Sequence, residues 1–589
     1  MRPRPIHYAL GLLCLAVLLG GLVWPMAKML QRGFFDPSNG QFTWDYLLRA
    51  VNGPMTRLGL INALLIAVAT TGAVIAIAVP LALIADRYRF AGKTLLTGLL
   101  MVPMILPPFV GAIGLRQILA RYGGSVNVLL QQIGLLGPGQ FIDWFGRWRV
   151  AGIVVLEALH LYPILYLNVA AALANIDPAM NEAAANMGAG RWRRFWKITW
   201  PLMMPGLFAG ASIVGVWSFT ELGTPLMFGY RQHLAVQIFE RLNEYESTGM
   251  PYAMVTIMLG ASVLVYATSK LLLARKGGAA QMPKATIAAG ERRLGWAGSM
   301  LAAAPFLVVT GLAIIPHIGV VLTSFAGDWF DSVLPQKFTL DHYRDALGHS
   351  LTLPSIANSI QYAAGAMLAD LVLGLTIAWL IVRVKLPGRR LLDSLAMLPL
   401  AVPGLVLAFG YVALSADLHV PLKALAQIEH RTLLQQIQFS LLSLADVEGN
   451  PMLLLIVAYA IRRLPYVVRS AAAGLEQSPV VLEEAAANMG ASPSRVLRRI
   501  TVPLIAASLM AGALLAFAFS MLEVSDSLVL ARRAENYPIT KAIYELWGRL
   551  GNGQFIASAL GVWAMALLIV TILTTNRLLG RRLGAVFRM

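Results

Sequence analysis

Polar residues are scarce in this sequence, so those that interrupt its apolar runs carry most of the chemical information. Glu221 and Glu523 each close an apolar run, and Ser218 and Ser520 precede them by three residues. Polar groups in such runs generally face a bundle interior or a cavity. A carboxylate pair there offers oxygen ligands suited to a hard cation such as ferric iron; the same groups can equally cap helices or bond loop backbone. Arg462 and Arg463, with Arg469 close by, point the other way. They can attract an anion such as a phosphonate, reach the headgroups with their long side chains, or pair with acidic neighbours. Glu157 and His160 read as polar contacts between helices, and Asp370 is ambiguous. The single cysteine, Cys14, excludes an intrachain disulfide and a cysteine-based metal site. No metal site is assigned, and no clustered set of catalytic side chains is visible.

A second pattern occurs twice. Glu182-Ala183-Ala184-Ala185-Asn186-Met187-Gly188 is followed by Ile198-Thr199-Trp200-Pro201-Leu202; Glu484-Ala485-Ala486-Ala487-Asn488-Met489-Gly490 is followed by Ile500-Thr501-Val502-Pro503-Leu504. The two stretches are identical at 13 of 21 positions under a shift of 302 residues, too many for coincidence. Glu-Ala-Ala-Ala is a strong helix former. Gly188 and Gly490 then permit a turn or a close backbone approach. Pro201 and Pro503 suit the first turn of the next helix. A short helix lying across a loop and joined to two long helices is expected at each place. An ATP-binding phosphate loop is not legible: Gly92-Lys93-Thr94 supplies its end, but Arg87 stands where the first glycine is required.

The elements that must hold these residues follow from composition. Apolar residues make up 58% and charged residues 13%, a balance that excludes a water-covered surface for 589 residues. Apolar runs of roughly 20 residues are long enough to cross a bilayer. Twelve helical spans are expected, near 8–30, 58–84, 95–115, 150–173, 203–221, 253–274, 298–325, 356–382, 392–413, 452–475, 505–523 and 554–576. The net charge of +18 sits mainly in short loops between the runs, which argues for topology rather than nucleic-acid binding. With both termini inside, Lys and Arg are roughly twice as dense in the inside loops, as the positive-inside rule requires.

The spans themselves repeat. Under a shift of 296 residues, Arg87, Gly92, Pro103, Pro107, Ala112 and Gly114 fall on Arg383, Gly388, Pro399, Pro403, Ala408 and Gly410. Each half holds an even number of spans, so the repeat is parallel and the pathway is expected between the halves. The divisions are 1–56 (first span and outer loop), 57–274 (first repeat), 275–297 (basic linker), 298–352 (seventh span and outer loop), 353–578 (second repeat) and 579–589 (tail). The segments Arg116–Arg149 and Tyr411–Asn450 suit short helices on the outer surface.

The paired motifs resemble the "EAA" loops of type I ABC importer permeases. Both copies keep the Glu, the Ala pair, the Gly, the Ile and the Pro; Trp200 and Val502 replace the usual Leu before the proline. Fusion of two halves in one chain is similar to the ferric-iron, thiamine and aminoethylphosphonate permeases. The resemblance implies an all-α polytopic protein of the type I importer fold in a bacterial inner membrane. It implies that Glu182, Ala183, Ala184 and Gly188, with Glu484, Ala485, Ala486 and Gly490, dock on two copies of a cytoplasmic ATPase. A soluble binding protein would deliver substrate from outside. Under this resemblance the chain binds no cofactor and is not itself an enzyme, ATP and Mg being held by the partner subunits. Ferric iron is the expected substrate, with aminoethylphosphonate, thiamine or another small solute as alternatives. An ion-coupled secondary transporter is the remoter alternative.

Overall fold

The structure is a computed structural model that describes residues 5–36, 39–146, 148–245, 247–276, 292–384, 386–428 and 432–579. The expected linker 275–297 and tail 579–589 lie largely outside the described residues.

The chain is a bundle of long helices, the form in which a backbone surrounded by lipid satisfies its own hydrogen bonds. In the first half these are α1 (Pro5–Phe34), α2 (Pro54–Arg87), the bent pair α3 (Lys93–Ile105) and α4 (Pro108–Ile118), and α5 (Arg149–Ala174). The short α6 (Pro178–Asn186), α7 (Trp200–Thr220) and α8 (Met250–Lys276) complete it. The second half repeats the series. It holds α9 (Trp296–Phe325), α10 (Thr352–Arg383), the bent pair α11 (Arg389–Leu400) and α12 (Gly404–Leu418), and α13 (Met452–Gln477). The short α14 (Val480–Asn488), α15 (Val502–Met521) and α16 (Gly553–Leu579) follow. The expected outer segments each contain a short helix, Ser125–Gln132 and Leu433–Ser443.

Among the described residues nine helices are long and apolar enough to cross a membrane, and eleven are if each bent pair counts as one span. The twelfth expected segment, 452–475, is α13. It is as long as α5, at 26 residues, but carries Arg462, Arg463 and Arg469, which take it out of the apolar class.

The bends, 90° between α3 and α4 and 102° between α11 and α12, fall at the repeated prolines Pro103, Pro107, Pro399 and Pro403. A proline removes an N–H and crowds the preceding turn, which frees carbonyls at the break. Side chains from neighbouring helices recover them. His160 Nδ1 lies 2.8 Å from the Pro103 oxygen, Tyr162 donates to the Leu100 oxygen at 2.9 Å, and His317 Nε2 lies 3.3 Å from the Pro107 oxygen.

The first helix of each half packs on the other half: α1 against α12, α10 and α13, and α9 against α4, α5 and α2. Small residues permit both crossings. A Cβ on Gly114 would stand 2.2 Å from the Pro316 oxygen of α9, and one on Gly410 would stand 2.8 Å from the Pro25 oxygen of α1. Lys28 and Arg32 of α1 also pair with Asp417 of α12, at 2.6 and 2.9 Å. The halves are therefore interlocked. Gly114→Leu meets backbone rather than a movable side chain, so its cost lies at or above the upper end of the ~1–3 kcal/mol typical of overpacking. Thermal unfolding in detergent should show a clear drop for Gly114→Leu. Gly72→Leu, where nothing lies within 4 Å, should melt like the parent.

Candidate transport pathway and loop helices

The two repeated motifs form matching structures. α6 begins at Asp177, whose carboxylate accepts the Ala179 N–H at 2.9 Å, with Pro178 in the first turn. It ends at Gly188, whose φ of +81° is left-handed, the conformation glycine adopts without a Cβ penalty. The Gly188 and Ala189 N–H groups return to the Ala185 and Ala184 carbonyls, both at 2.9 Å. α14 closes in the same way. Gly490 has φ +83°, and Gly490 and Ala491 donate to Ala487 and Ala486, both at 3.0 Å. The motif alanines thus supply the carbonyls that close each turn. Glu182, Ala183, Glu484 and Ala485 are exposed, Ala184 and Ala486 are half-buried, and Met187 and Met489 stand 87% and 89% exposed at the tips. Beyond each glycine turn a second short helix, Arg191–Arg194 or Pro493–Val496, runs through a π-helical turn, Phe195–Thr199 or Leu497–Thr501, into α7 or α15. In the first half Arg194 of that second helix donates to the Asn181 carbonyl of α6 at 3.2 Å, which ties the loop helix to the segment leading into α7.

The loops differ in how they are anchored. In the second half Arg383, at the end of α10, pairs with buried Glu483 at 3.2 Å and with the Ser478 hydroxyl at 2.7 Å. Glu483 also accepts from Thr501 at 3.2 Å. In the first half Asn181 takes the place of Glu483, and Arg87 lies over the Phe195 ring at 6.0 Å. There Trp192, Phe195, Trp196 and Trp200 form a cluster of rings, an arrangement suited to a membrane interface.

At the opposite ends of α7 and α15, a helix of about 20 residues and so about 30 Å away, a cavity of about 150 Å³ opens between the halves. Both bent pairs line it, together with α5, α7, α13 and α15. Its walls match by position but not by charge. Under the 302-residue shift Glu221 answers to Glu523, His160 to Arg462, Leu161 to Arg463 and Thr224 to Asp526. In the second half Arg462 bridges Glu523 at 2.6 Å and Asp526 at 3.1 Å, and Arg463 pairs with the other oxygen of Glu523. Arg462 passes so close to Gly404 that a Cβ there would lie 2.1 Å from its guanidinium, so the bend of the second pair is shaped to it.

In the first half Glu221 Oε1 accepts the Gly223 and Thr224 N–H groups, at 3.1 and 3.3 Å. Glu157 Oε2 accepts from Ser218 and, at 3.3 Å, from Thr70. Ser520, the counterpart of Ser218, has no such acceptor beside it. Tyr459 stands where Glu157 stands in the first half, and its hydroxyl bonds Ser527 at 2.6 Å.

The structure thus brings Glu221, Glu523, Arg462 and Arg463 to one cavity and places Ser218 behind Glu157. The two groups read from sequence as serving opposite substrates, Glu523 and the arginine pair, are partners. Asp526, Thr224 and Trp217 went unnoticed in the sequence. The 302-residue shift aligns Thr224 with Asp526 immediately downstream of the glutamates, which would have flagged the position. No group of three or more His, Cys, Asp or Glu side chains among the described residues is placed to hold a metal ion.

Two interlocked helical halves, a cavity between them and a glycine-closed loop helix in each define a membrane transport subunit. The model of the binding-protein-dependent transport system inner membrane component family matches residues 78–277 and 370–584, and the chain belongs to that family as an ABC transporter permease. It is similar to the ferric transport system permease protein FbpB of Actinobacillus pleuropneumoniae, 25% identical across 84% of this chain and 67% of that one. It is also similar to the molybdenum transport system permease protein ModB of Escherichia coli K12, 33% identical across 24% of this chain and 58% of that one. The sulfate transport system permease protein CysT of the same strain is 28% identical across 33% of this chain and 69% of its own. Among solved structures, a bacterial ABC transporter involved in alginate import aligns over 48% of this chain at 14% identity. Its TM-score of 0.35 is too low to argue from.

Proposed function

We propose that this chain forms the translocation pathway of a binding-protein-dependent importer in a bacterial inner membrane, with both termini cytoplasmic. Two copies of a cytoplasmic ATPase, which hold the ATP and Mg, dock on α6 and α14. A soluble binding protein delivers substrate to the opposite face. The observation that carries this reading is the pair of exposed, glycine-closed loop helices, each joined through its turn and a second short helix to a helix that lines the cavity. Closure of the ATPases draws the loop helices together, and α7 and α15 carry that motion to the cavity walls. A secondary transporter has no use for such a pair.

Ferric iron is the substrate this reading favours. The relative named for ferric transport is similar along most of the chain, whereas the molybdenum and sulfate relatives match only part of it. The case for an anion leans on Arg462 and Arg463, and Glu523 and Asp526 already occupy both guanidiniums. Proteoliposomes holding the permease, its ATPase and its binding protein should accumulate radiolabelled ferric iron on addition of ATP. They should leave molybdate and sulfate outside. ATP-driven uptake of an oxyanion without iron would overturn the substrate assignment and leave the importer reading standing.

A further inference from the structure

We propose that Glu157 and Glu221 form a transit site for a hard multivalent cation on the first-half wall of the central cavity. The proposal rests on reading the cavity as the transport pathway, and it adds which wall the cargo meets and through which atoms. Charge is unevenly balanced around the cavity. Glu157, Glu221 and Glu523 line the cavity and Asp526 stands behind it, against two arginines. Both arginines are committed to the second-half acids. The first-half acids have hydroxyl and backbone N–H donors and, among the described residues, no ion pair.

Unmet bonding capacity falls on both walls: Asp526 Oδ1 and Arg463 Nε also lack a hydrogen-bond partner, but both residues belong to ion pairs, whereas Glu157 has none among the described residues. Glu157 is 3% exposed and its Oε1 has no hydrogen-bond partner; Thr224 is fully buried and its Oγ1 has none either. Buried polar atoms are normally satisfied, and an exception at a cavity wall is open to a water or an ion entering the cavity. A carboxylate left in this state in an apolar bundle is costly, and either a bound proton or an arriving cation that displaces it relieves the cost. Glu157 was read from sequence as a satisfied contact between helices; one of its oxygens is satisfied and the other is not.

The residue types fix the class of cargo. Carboxylate and hydroxyl oxygens select hard cations. Because no three acidic, His or Cys groups among the described residues converge on one point, the cation keeps water or a chelator for its remaining positions. That suits a pathway, where cargo must be held weakly enough to leave. On the second wall two arginines and two acids pair with one another and leave the cation no free carboxylate, so cargo crosses along the first half.

Terbium(III), a hard trivalent ion whose luminescence is sensitised by nearby tryptophan, tests this directly, because Trp217 lines the same cavity. Full-length permease in detergent should show a saturable terbium signal under tryptophan excitation. Glu157→Gln and Glu221→Gln, which keep shape and remove charge, should each weaken its apparent affinity by about tenfold or more. Trp217→Phe should dim the signal without changing the affinity, and Glu157→Asp should restore most of it. Absence of a saturable signal in the parent, or one unchanged in Glu157→Gln/Glu221→Gln, overturns the site. Terbium binding at these carboxylates in a chain that recovers no ATPase would contradict the importer reading and leave the site intact. ATP-driven iron uptake without terbium binding would do the reverse.

Discussion

With Gly188 and Gly490 both changed to valine, the chain reaches the membrane in normal amount and ATP-driven uptake falls by about a hundredfold. The cause is backbone geometry rather than crowding. Both glycines have φ above +80°, and a Cβ at either would meet nothing within 4 Å. A left-handed residue other than glycine costs ~1–2 kcal/mol, and a β-branched one is a genuine outlier. The loop escapes by abandoning the turn, which releases the carbonyls of Ala184 and Ala185, or of Ala486 and Ala487, and redirects the chain that leads into α7 or α15. About 1.4 kcal/mol taken from the docking-competent form is a factor of ten at each loop. Single valine variants should therefore lose about tenfold. Gly190→Val is the control: its backbone is extended at φ −64°, equally open, and outside the turn. Immunoblots of membranes alongside uptake assays decide the matter, and normal uptake in the double variant is incompatible with the docking role.

The second large effect concerns the ion cluster. Glu523→Ala strips Arg463 of its carboxylate and Arg462 of its nearer one. Breaking a buried pair from one side costs about 3–5 kcal/mol, because the remaining charge is stranded. Glu523→Ala should lower the melting temperature in detergent by several degrees. Exchanging all four of Arg462, Arg463, Glu523 and Asp526 for apolar residues of similar size should recover most of that stability, since no charge is then stranded. Equal melting of Glu523→Ala and the parent would mean that the cluster is solvated and not part of the closed wall.

Helices, halves and loops were legible because they leave periodic or repeated traces in the chain. The shift of 302 residues aligned the two loop motifs, and the shift of 296 aligned the prolines that the structure shows bending each pair by about a right angle. The cavity was half legible. Glu221, Glu523, Arg462 and Arg463 could be singled out as polar groups in apolar surroundings. Their pairing could not, because it joins α13 to residues about 60 positions later, beyond any local spacing. Symmetry also misled: it suggested two equivalent glutamates, whereas replacement of His160 by Arg462 and of Leu161 by Arg463 across the repeat neutralises only one. Tyr459 stands where an acidic counterpart of Glu157 would be, so the repeat carries no sign of a role for Glu157 beyond a contact between helices. The exchange of first helices left a trace only in Gly114 and Gly410, matched residues whose close approach to Pro316 and Pro25 needs three dimensions to be seen.

The central claim is that α6 and α14 are the sites at which separate ATPase subunits drive this chain. Cys14, the single cysteine, lies buried in α1, so Cys14→Ser gives a background in which Met187→Cys and Met489→Cys each place one thiol at an exposed loop tip. Thiol-to-amine cross-linking in native membranes, followed by purification through the permease and mass spectrometry, reads out what each tip touches. Both variants, and not a thiol placed at Gly72, should capture the same ATP-hydrolysing subunit. Recovery of the permease without any ATPase from both loop positions would contradict it.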